Sequence, residues 1–388
     1  MKRGQHRRPH RRFAASAVLL SALVALAVSV GSASSMSQRA ATRSSTAANL
    51  KYVNAQVAKF KKAPPFPKLP AVNAKKAAGK RVALIPFSTG VPFIAQATKQ
   101  IGVALGLAGV KSTLFPSQGQ LSQVQQAFST AIGQKYNAID LFSINAAVVG
   151  PQLIAAKRAG IPVVGGHVDP TGAPLPKNQS AHTPAPFYEA GRLEADYVIS
   201  HSKGHARTLI ITSNEQTPAK GTVAAIQDEF KKYCGASCSS TVVNVPIADW
   251  ATKMQSQVQS SLLADPKINY IIQLYDSGVQ FILPGITAAH AQNRVKIVTF
   301  NGTDFVLKYI QTGNIVIADV GEDTTWLGWA IADETFRLLT GAKPVADEHT
   351  PLRIFDKSNV AQTGTPPKLG AGYGNAYITG YKKTWGVG

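Results

Sequence analysis

From Arg81 to Gly341 the chain alternates between two hydrophobic periods. Short β-branched or apolar runs lead into loops, and each loop leads into a stretch whose apolar residues recur at helical spacing. The first unit shows the pattern: Arg81-Val-Ala-Leu-Ile-Pro86, the loop Ser88-Thr-Gly-Val-Pro-Phe93, then helix-like sequence to Gly109. Strands are expected at Val82 to Pro86, Ser112 to Pro116, Ala138 to Phe142, Ile161 to Gly165, Thr208 to Thr212, Thr241 to Val245, Ile268 to Leu274, Val295 to Phe300 and Ile315 to Val320. Helical spacing is plain at Val124, Phe128, Ile132 and again at Leu153, Ala156, Ala159. Continuous apolar strands between helices imply parallel sheets covered on both faces, an α/β fold. In such folds ligands sit beyond the carboxyl ends of the strands, so candidate chemistry is sought in those loops.

One stretch breaks the rhythm. Gly166 to Pro186 holds repeated Pro, Asp169 and Lys177 with no periodicity, and is read as a crossover between two domains. The last strand is expected to lead into a return crossover near Gly321-Glu322-Asp323. A length of 388 residues exceeds the usual size of one core, which agrees with two domains.

The N-terminal region differs from the rest. Met1 to Arg12 is basic, Phe13 to Val30 is apolar, and Gly31-Ser32-Ala33 is small, the three-part pattern of an export signal over residues 1–33. An uncleaved anchor is the remaining alternative, since the apolar run is near the lower limit for spanning a bilayer. No Cys precedes Cys234, so lipid attachment at the cleavage site is not expected. Residues 34–79 read as a linker, Ser-, Ala- and Thr-rich and disordered at first. Leu50, Val53, Val57 and Phe60 then mark one amphipathic helix packed on the main body, before Pro64-Pro65-Phe66-Pro67 and Pro70.

The net charge of +21 suggests nucleic acid until its distribution is seen. Residues 1–80 hold 16 of the 41 basic residues and none of the 20 acidic ones, which leaves 25 against 20 for the remainder. A nucleic-acid partner is therefore not expected of the folded part. The two cysteines, Cys234 and Cys238, lie in Lys232-Tyr-Cys-Gly-Ala-Ser-Cys-Ser239. For an exported chain this spacing reads as a small structural disulfide rather than a redox pair.

The order of elements and several loop motifs resemble the type I periplasmic binding proteins, specifically the ribose and galactose receptor branch that serves ABC importers. The resemblance runs from about Lys80 to Val360. It rests on Ser88-Thr-Gly-Val-Pro-Phe93, Ile161-Pro-Val-Val164, Ala248-Asp-Trp250 with Leu262-Leu-Ala-Asp-Pro266, Gln273-Leu-Tyr-Asp276 and Val298-Thr-Phe-Asn-Gly-Thr303. It implies two Rossmann-like lobes joined by a three-strand hinge and closing over one solute. The first lobe would comprise residues 80–183 with 323–348, and the second 184–322 with 349–388.

Carried over position by position, the resemblance implies ligand contacts from Phe93, His167, Trp250, Tyr275, Asn301 and Glu322. Phe93 and Trp250 suit the apolar faces of a sugar, while Asn301 and Glu322 suit its hydroxyls. Asp276 is expected to cap the helix after it. The family commonly carries an acidic residue and Arg where this chain has His167 and Val168, and Arg near the apolar Ile226. An Asn is commonly found where this chain has Tyr275. These replacements leave room for an aromatic or otherwise less hydroxylated solute.

The resemblance implies a monomeric solute receptor that presents a sugar-like ligand to an ABC importer permease, with no cofactor. A ligand-sensing subunit of a signalling receptor uses the same lobes and is the alternative. No nucleophile elbow, phosphate-cradling Gly-Lys loop or metal-ligand helix appears in the sequence, so an enzyme is not expected. No metal site is expected either. A thiol assay on the native exported protein is expected to find neither Cys234 nor Cys238 free; two reactive thiols would exclude the disulfide.

Overall fold

The computed structural model describes residues 47–388 apart from Asn314. The expected export signal at 1–33 and the start of the linker lie outside the described residues. Within them the chain builds two α/β lobes, each on its own sheet. Among the described residues no helix is long and apolar enough to cross a membrane.

The first sheet contains β1 (Arg81–Pro86), β2 (Lys111–Leu114), β3 (Ala138–Phe142), β4 (Val163–Pro170) and β5 (Ala181–Ala185), in the order β2-β1-β3-β4-β5, all parallel. The second contains β6 (Arg207–Thr212), β7 (Ser239–Asn244), β8 (Tyr270–Gln273), β9 (Lys296–Asn301), β10 (Val316–Glu322) and β11 (Leu352–Asp356). Its order is β11-β10-β9-β8-β6-β7, parallel except for the antiparallel edge pair β10 and β11. Both sheets thus wind outward from their first strand in the same order, and β11 is an addition to the second.

The helices α2 (Pro92–Leu107), α3 (Leu121–Gly133), α4 (Gly150–Arg158), α5 (Phe187–His201), α6 (Ala219–Tyr233), α7 (Gln255–Ala264), α8 (Val279–Ala288), α9 (Asp304–Thr312) and α10 (Thr324–Thr340) alternate with the strands. Strands such as β3 and β8 are buried along their whole length, as expected for sheets covered on both faces.

The non-periodic crossover stretch from Gly166 to Pro186 contains sheet structure. β4 runs on to Pro170, and β5 pairs with it before the chain enters the second lobe. Pro184 fits because it sits on an edge strand where the β4–β5 register shifts, and proline in sheets is confined to edges and bulges.

The amphipathic helix over residues 47–60, α1, packs Val53 and Val57 into the core of the second lobe. Asn54 Oδ1 accepts from Ser200 Oγ of α5 at 2.6 Å, and Tyr52 stacks on Tyr233 at 4.4 Å. Lys61 then pairs with Asp356, and its carbonyl accepts from Arg353 and Asn359. A few residues later the chain belongs to the first lobe: Phe66 packs on Trp326 and Tyr381, and Pro70 O accepts from Arg337 at 2.7 Å.

The C-terminal helix α11 (Ala376–Trp385) corrects the expected lobe assignment of residues 349–388. Tyr377, Tyr381 and Trp385 join Trp326, Trp329 and Phe336 of α10 in the aromatic core of the first lobe, not the second. Gly380 makes the contact possible, since a Cβ there would come within 2.1 Å of the Phe66 ring. Polar bonds fix the register: Trp385 Nε1 donates to Asp333 Oδ1 at 2.6 Å, and Tyr381 O–H donates to Glu348 Oε2 at 2.5 Å. Asp333, Glu334 and Glu348 form a buried acidic group here, with Arg337 bonded to Asp333 and Val345 N donating to Glu334. Besides the three hinge crossings, the two arms therefore also run between the lobes.

Trp385→Ala is expected to lower stability by about 3–5 kcal/mol, the usual range for deleting a large buried aromatic side chain. Chemical denaturation followed by intrinsic fluorescence checks this.

Candidate functional site

The carboxyl ends of the two sets of parallel strands line one cavity of about 420 Å³. From the first lobe come the loops after β1, β2 and β3 with His167 and Val168 of β4; from the second come Phe187 of α5, the loops after β6, β7 and β8, and Asn301 at the end of β9. This volume falls within the range that drug-sized organic molecules occupy.

Five of the six expected ligand residues line the cavity: Phe93, His167, Trp250, Tyr275 and Asn301. Phe93 begins α2 after Pro92, whose fixed φ suits the first helical turn. His167 adopts φ 59°, an unusual backbone state for a residue with a side chain. Its ring is surrounded by Phe93 at 5.0 Å, Phe142 at 5.5 Å and Phe187 at 5.0 Å. Its Nε2 bonds Glu322 Oε2 at 2.8 Å, and its Nδ1 lies 3.3 Å from Ser143 Oγ.

Glu322 is placed differently from the expectation. It is buried at the end of β10 and is not among the cavity-lining residues. One carboxylate oxygen is taken by His167, and the other has no protein partner. The pair links the end of β4 to the end of β10 at the hinge.

Trp250 opens one turn of π-helix, Trp250–Met254, a distortion often found at functional sites. Its Nε1 donates to Val245 O at 3.0 Å and Ser213 Oγ at 3.1 Å, so the ring is pinned and its polar edge faces its own lobe. Asp276 caps no helix by a side-chain bond. It accepts from Thr303 N and Oγ1, each at 2.7 Å, and from Thr299 Oγ1 at 3.0 Å. Both oxygens of Asp319 accept from Gly302 N. These two buried acids hold the turn Asn301-Gly302-Thr303, in which Asn301 has φ 132° and Gly302 φ 74°.

Burial pushes the Asp276 carboxyl up to about 6, against the bonds from Thr303. Asp319 is raised well above the usual carboxylate range by burial and by Asp276 beside it. The turn is thus supported by a pair that holds a proton when an exposed pair would not. The Tyr275 hydroxyl is also raised, mainly by burial and then by Glu215.

The loop after β3 adds a cavity residue outside the expected set. Asn145 Oδ1 accepts from Ala147 N at 2.8 Å, and its Nδ2 donates to Thr217 Oγ1 of the other lobe at 2.7 Å. Asn145 and Thr217 both line the cavity. Ile226 is core in the second lobe, and Lys220 is exposed and away from the cavity. Cys234 and Cys238, distant in role from the cavity, are joined as a disulfide after α6.

A family model described as a periplasmic binding protein domain matches residues 82–343. The chain belongs to the periplasmic binding protein family. Its fold is that of type I, as the order of elements suggested. No curated protein sequence matches. Among solved structures, it is similar to an ABC transporter solute binding protein from Agrobacterium vitis with bound allitol, at 19% identity and TM-score 0.65, covering 74% of this chain and 98% of that one. It is also similar to one from Burkholderia graminis in complex with D-arabinose, at 20% identity and TM-score 0.64, covering 73% and 97%. A solute binding protein from Mycobacterium smegmatis with bound glycerol matches at 17% identity and TM-score 0.63, covering 75% and 99%.

Lowering the pH from 8 to 5 is expected to raise the melting temperature. Burial raises Asp140 to about 8, Asp323 to about 7 and Asp276 to about 6, so the folded form holds protons that the unfolded carboxylates have released. Their contribution is complete below the unfolded values near 4 and is lost as pH climbs through the folded values. His201, lowered by burial, acts in the opposite direction below about 6.5 but is outnumbered. Calorimetry across this window checks the sign.

Proposed function

We propose that the protein is an exported solute receptor that captures one small sugar or sugar-like molecule between its lobes and delivers it to an ABC importer. The observation that carries this reading is a single cavity lined by strand-end loops of both sheets within a periplasmic binding protein fold. Loops from two bodies on one cavity let a ligand stabilise the closed arrangement over the open one, and a permease can read that difference. The neighbours that carry allitol, D-arabinose and glycerol support the choice of a hydroxylated ligand.

In this reading Phe93 and Trp250 supply flat surfaces, and Tyr275 and Asn301 supply hydrogen bonds. Glu322 acts through His167, holding its ring among the phenylalanines. Asn145 and Thr217 fasten the two lobes to each other beside the cavity. The receptor works as a monomer outside the cytoplasm, brought there by the leader at 1–33.

Calorimetric titration with pentoses, hexoses, polyols and their glycosides tests the reading, together with small-angle scattering with and without each compound. Binding accompanied by compaction supports it; no binding and one unchanged shape across the series would overturn it. With a bound compound in hand, Tyr275→Phe is expected to weaken affinity by about 1–3 kcal/mol, the cost of a buried polar partner left unpaired. An unchanged affinity would remove Tyr275 from the site.

A further inference from the structure

The two walls of the cavity are chemically unequal. The first lobe contributes mainly hydrocarbon: Val91, Phe93, Ile94, Leu121, Val124 and Val148 are representative. Of its polar side chains in the lining, Gln120 is exposed, while Ser143, His167 and Asn145 are occupied by the protein itself. Ser143 faces His167, His167 bonds Glu322, and Asn145 bonds Ala147 N and Thr217. The second lobe supplies the polar groups, among them Gln216, Tyr275, Ser277 and Asn301.

Charge is unequal as well. Among the described residues that line the cavity there is a carboxylate, Glu215, but no Lys or Arg. Glu322 adds a second acidic group behind His167, and one of its buried oxygens has no protein partner. An anion entering this space would lose its hydration without meeting a fixed cation.

The apolar surface also continues outward. Phe87, Leu121 and Val148 of the first lobe and Ile247 of the second line the cavity, yet they are 38%, 44%, 51% and 38% exposed. A free pentose or hexose carries hydroxyls around its whole edge. Against the first lobe, Gln120 apart, those hydroxyls would face hydrocarbon and polar groups already in use, and each unpaired one would cost binding.

Building on the receptor reading, we infer that the ligand is a neutral amphipathic molecule, hydroxylated along one edge and bearing an apolar ring on the other, as in an aryl glycoside. The hydroxylated edge meets Tyr275, Ser277 and Asn301 of the second lobe. The apolar ring lies against Phe93, Ile94 and Val124 and extends toward Leu121 and Phe87. Selectivity against the free sugar comes from the first lobe, and selectivity against the corresponding acid comes from the missing cation.

Three probes that share the glucopyranose ring and its 2-, 3- and 4-hydroxyls separate these contributions: D-glucose, phenyl β-D-glucoside and phenyl β-D-glucuronide. Cyclohexyl and naphthyl β-D-glucosides and adenosine extend the neutral arm. Titration and thermal shift on the chain without its leader are expected to show a neutral ring-bearing compound binding at least about tenfold tighter than D-glucose. The glucuronide is expected to bind at least about tenfold more weakly than its neutral partner. Leu121→Ser and Phe87→Ser, both at the exposed rim, should weaken the neutral ring compound several-fold more than they weaken D-glucose.

A free pentose, hexose or polyol that binds as tightly as every ring-bearing compound overturns the inference and leaves the receptor reading standing. Equal affinity for the glucuronide, or rim variants without effect, also overturns it. If no compound in any arm raises the melting temperature or compacts the lobes, the inference and the receptor reading fall together.

Discussion

Burial of the inner strands of both sheets on both faces is the constraint from which the rest follows. Helices cover β3 and β8 so completely that their backbone and side chains have no access to a ligand, and chemistry is confined to the strand ends. Two sheets wound in the same order direct those ends toward a shared space. The site is then a matter of which residues follow each strand. Its polar turn at Asn301-Gly302-Thr303 is held by Asp276 and Asp319, whose carboxyls are enclosed by the same layers that enclose the sheet.

Much of this could be read from the sequence because buried parallel strands are continuous apolar runs. Arg81-Val-Ala-Leu-Ile-Pro86 and Ala138-Ile-Asp-Leu-Phe142 have no ambiguity of period, and their boundaries in the structure agree closely. Ala181-His-Thr-Pro-Ala185 carries none of that signal. Its strand exists because β4 offers it an edge, a partner that local sequence does not announce. The lobe to which α11 belongs was equally hidden, since Tyr377, Tyr381 and Trp385 are apolar in pattern but their partners lie on α10, far away in sequence.

The cavity residues follow the same division. Phe93, Trp250 and Tyr275 stand just past strands and Asn301 ends one, and the resemblance to the family points to all four. Ser143-Ile-Asn145 stands just past β3 in the same way, outside the motifs that carry the resemblance. What position could not show is which polar groups are already occupied. Glu322 and His167 are 155 residues apart in sequence, and only the folded chain shows that they satisfy each other. Trp250 likewise keeps its ring in the lining while its N–H is spent on Val245 and Ser213. The availability of donors and acceptors therefore says more about the ligand than their presence does.

The arms at the two ends of the folded region have a temporal meaning. The second lobe takes in α1, made before any of its strands, and the first lobe takes in α11, made after all of its strands. Neither half corresponds to one continuous stretch of chain, so neither could be cut out and produced alone with its hydrophobic interior intact. During synthesis the half whose strands emerge first still lacks Tyr377, Tyr381 and Trp385, and its aromatic layer stays open until the last helix appears. The lobe whose strands are made first is therefore finished last.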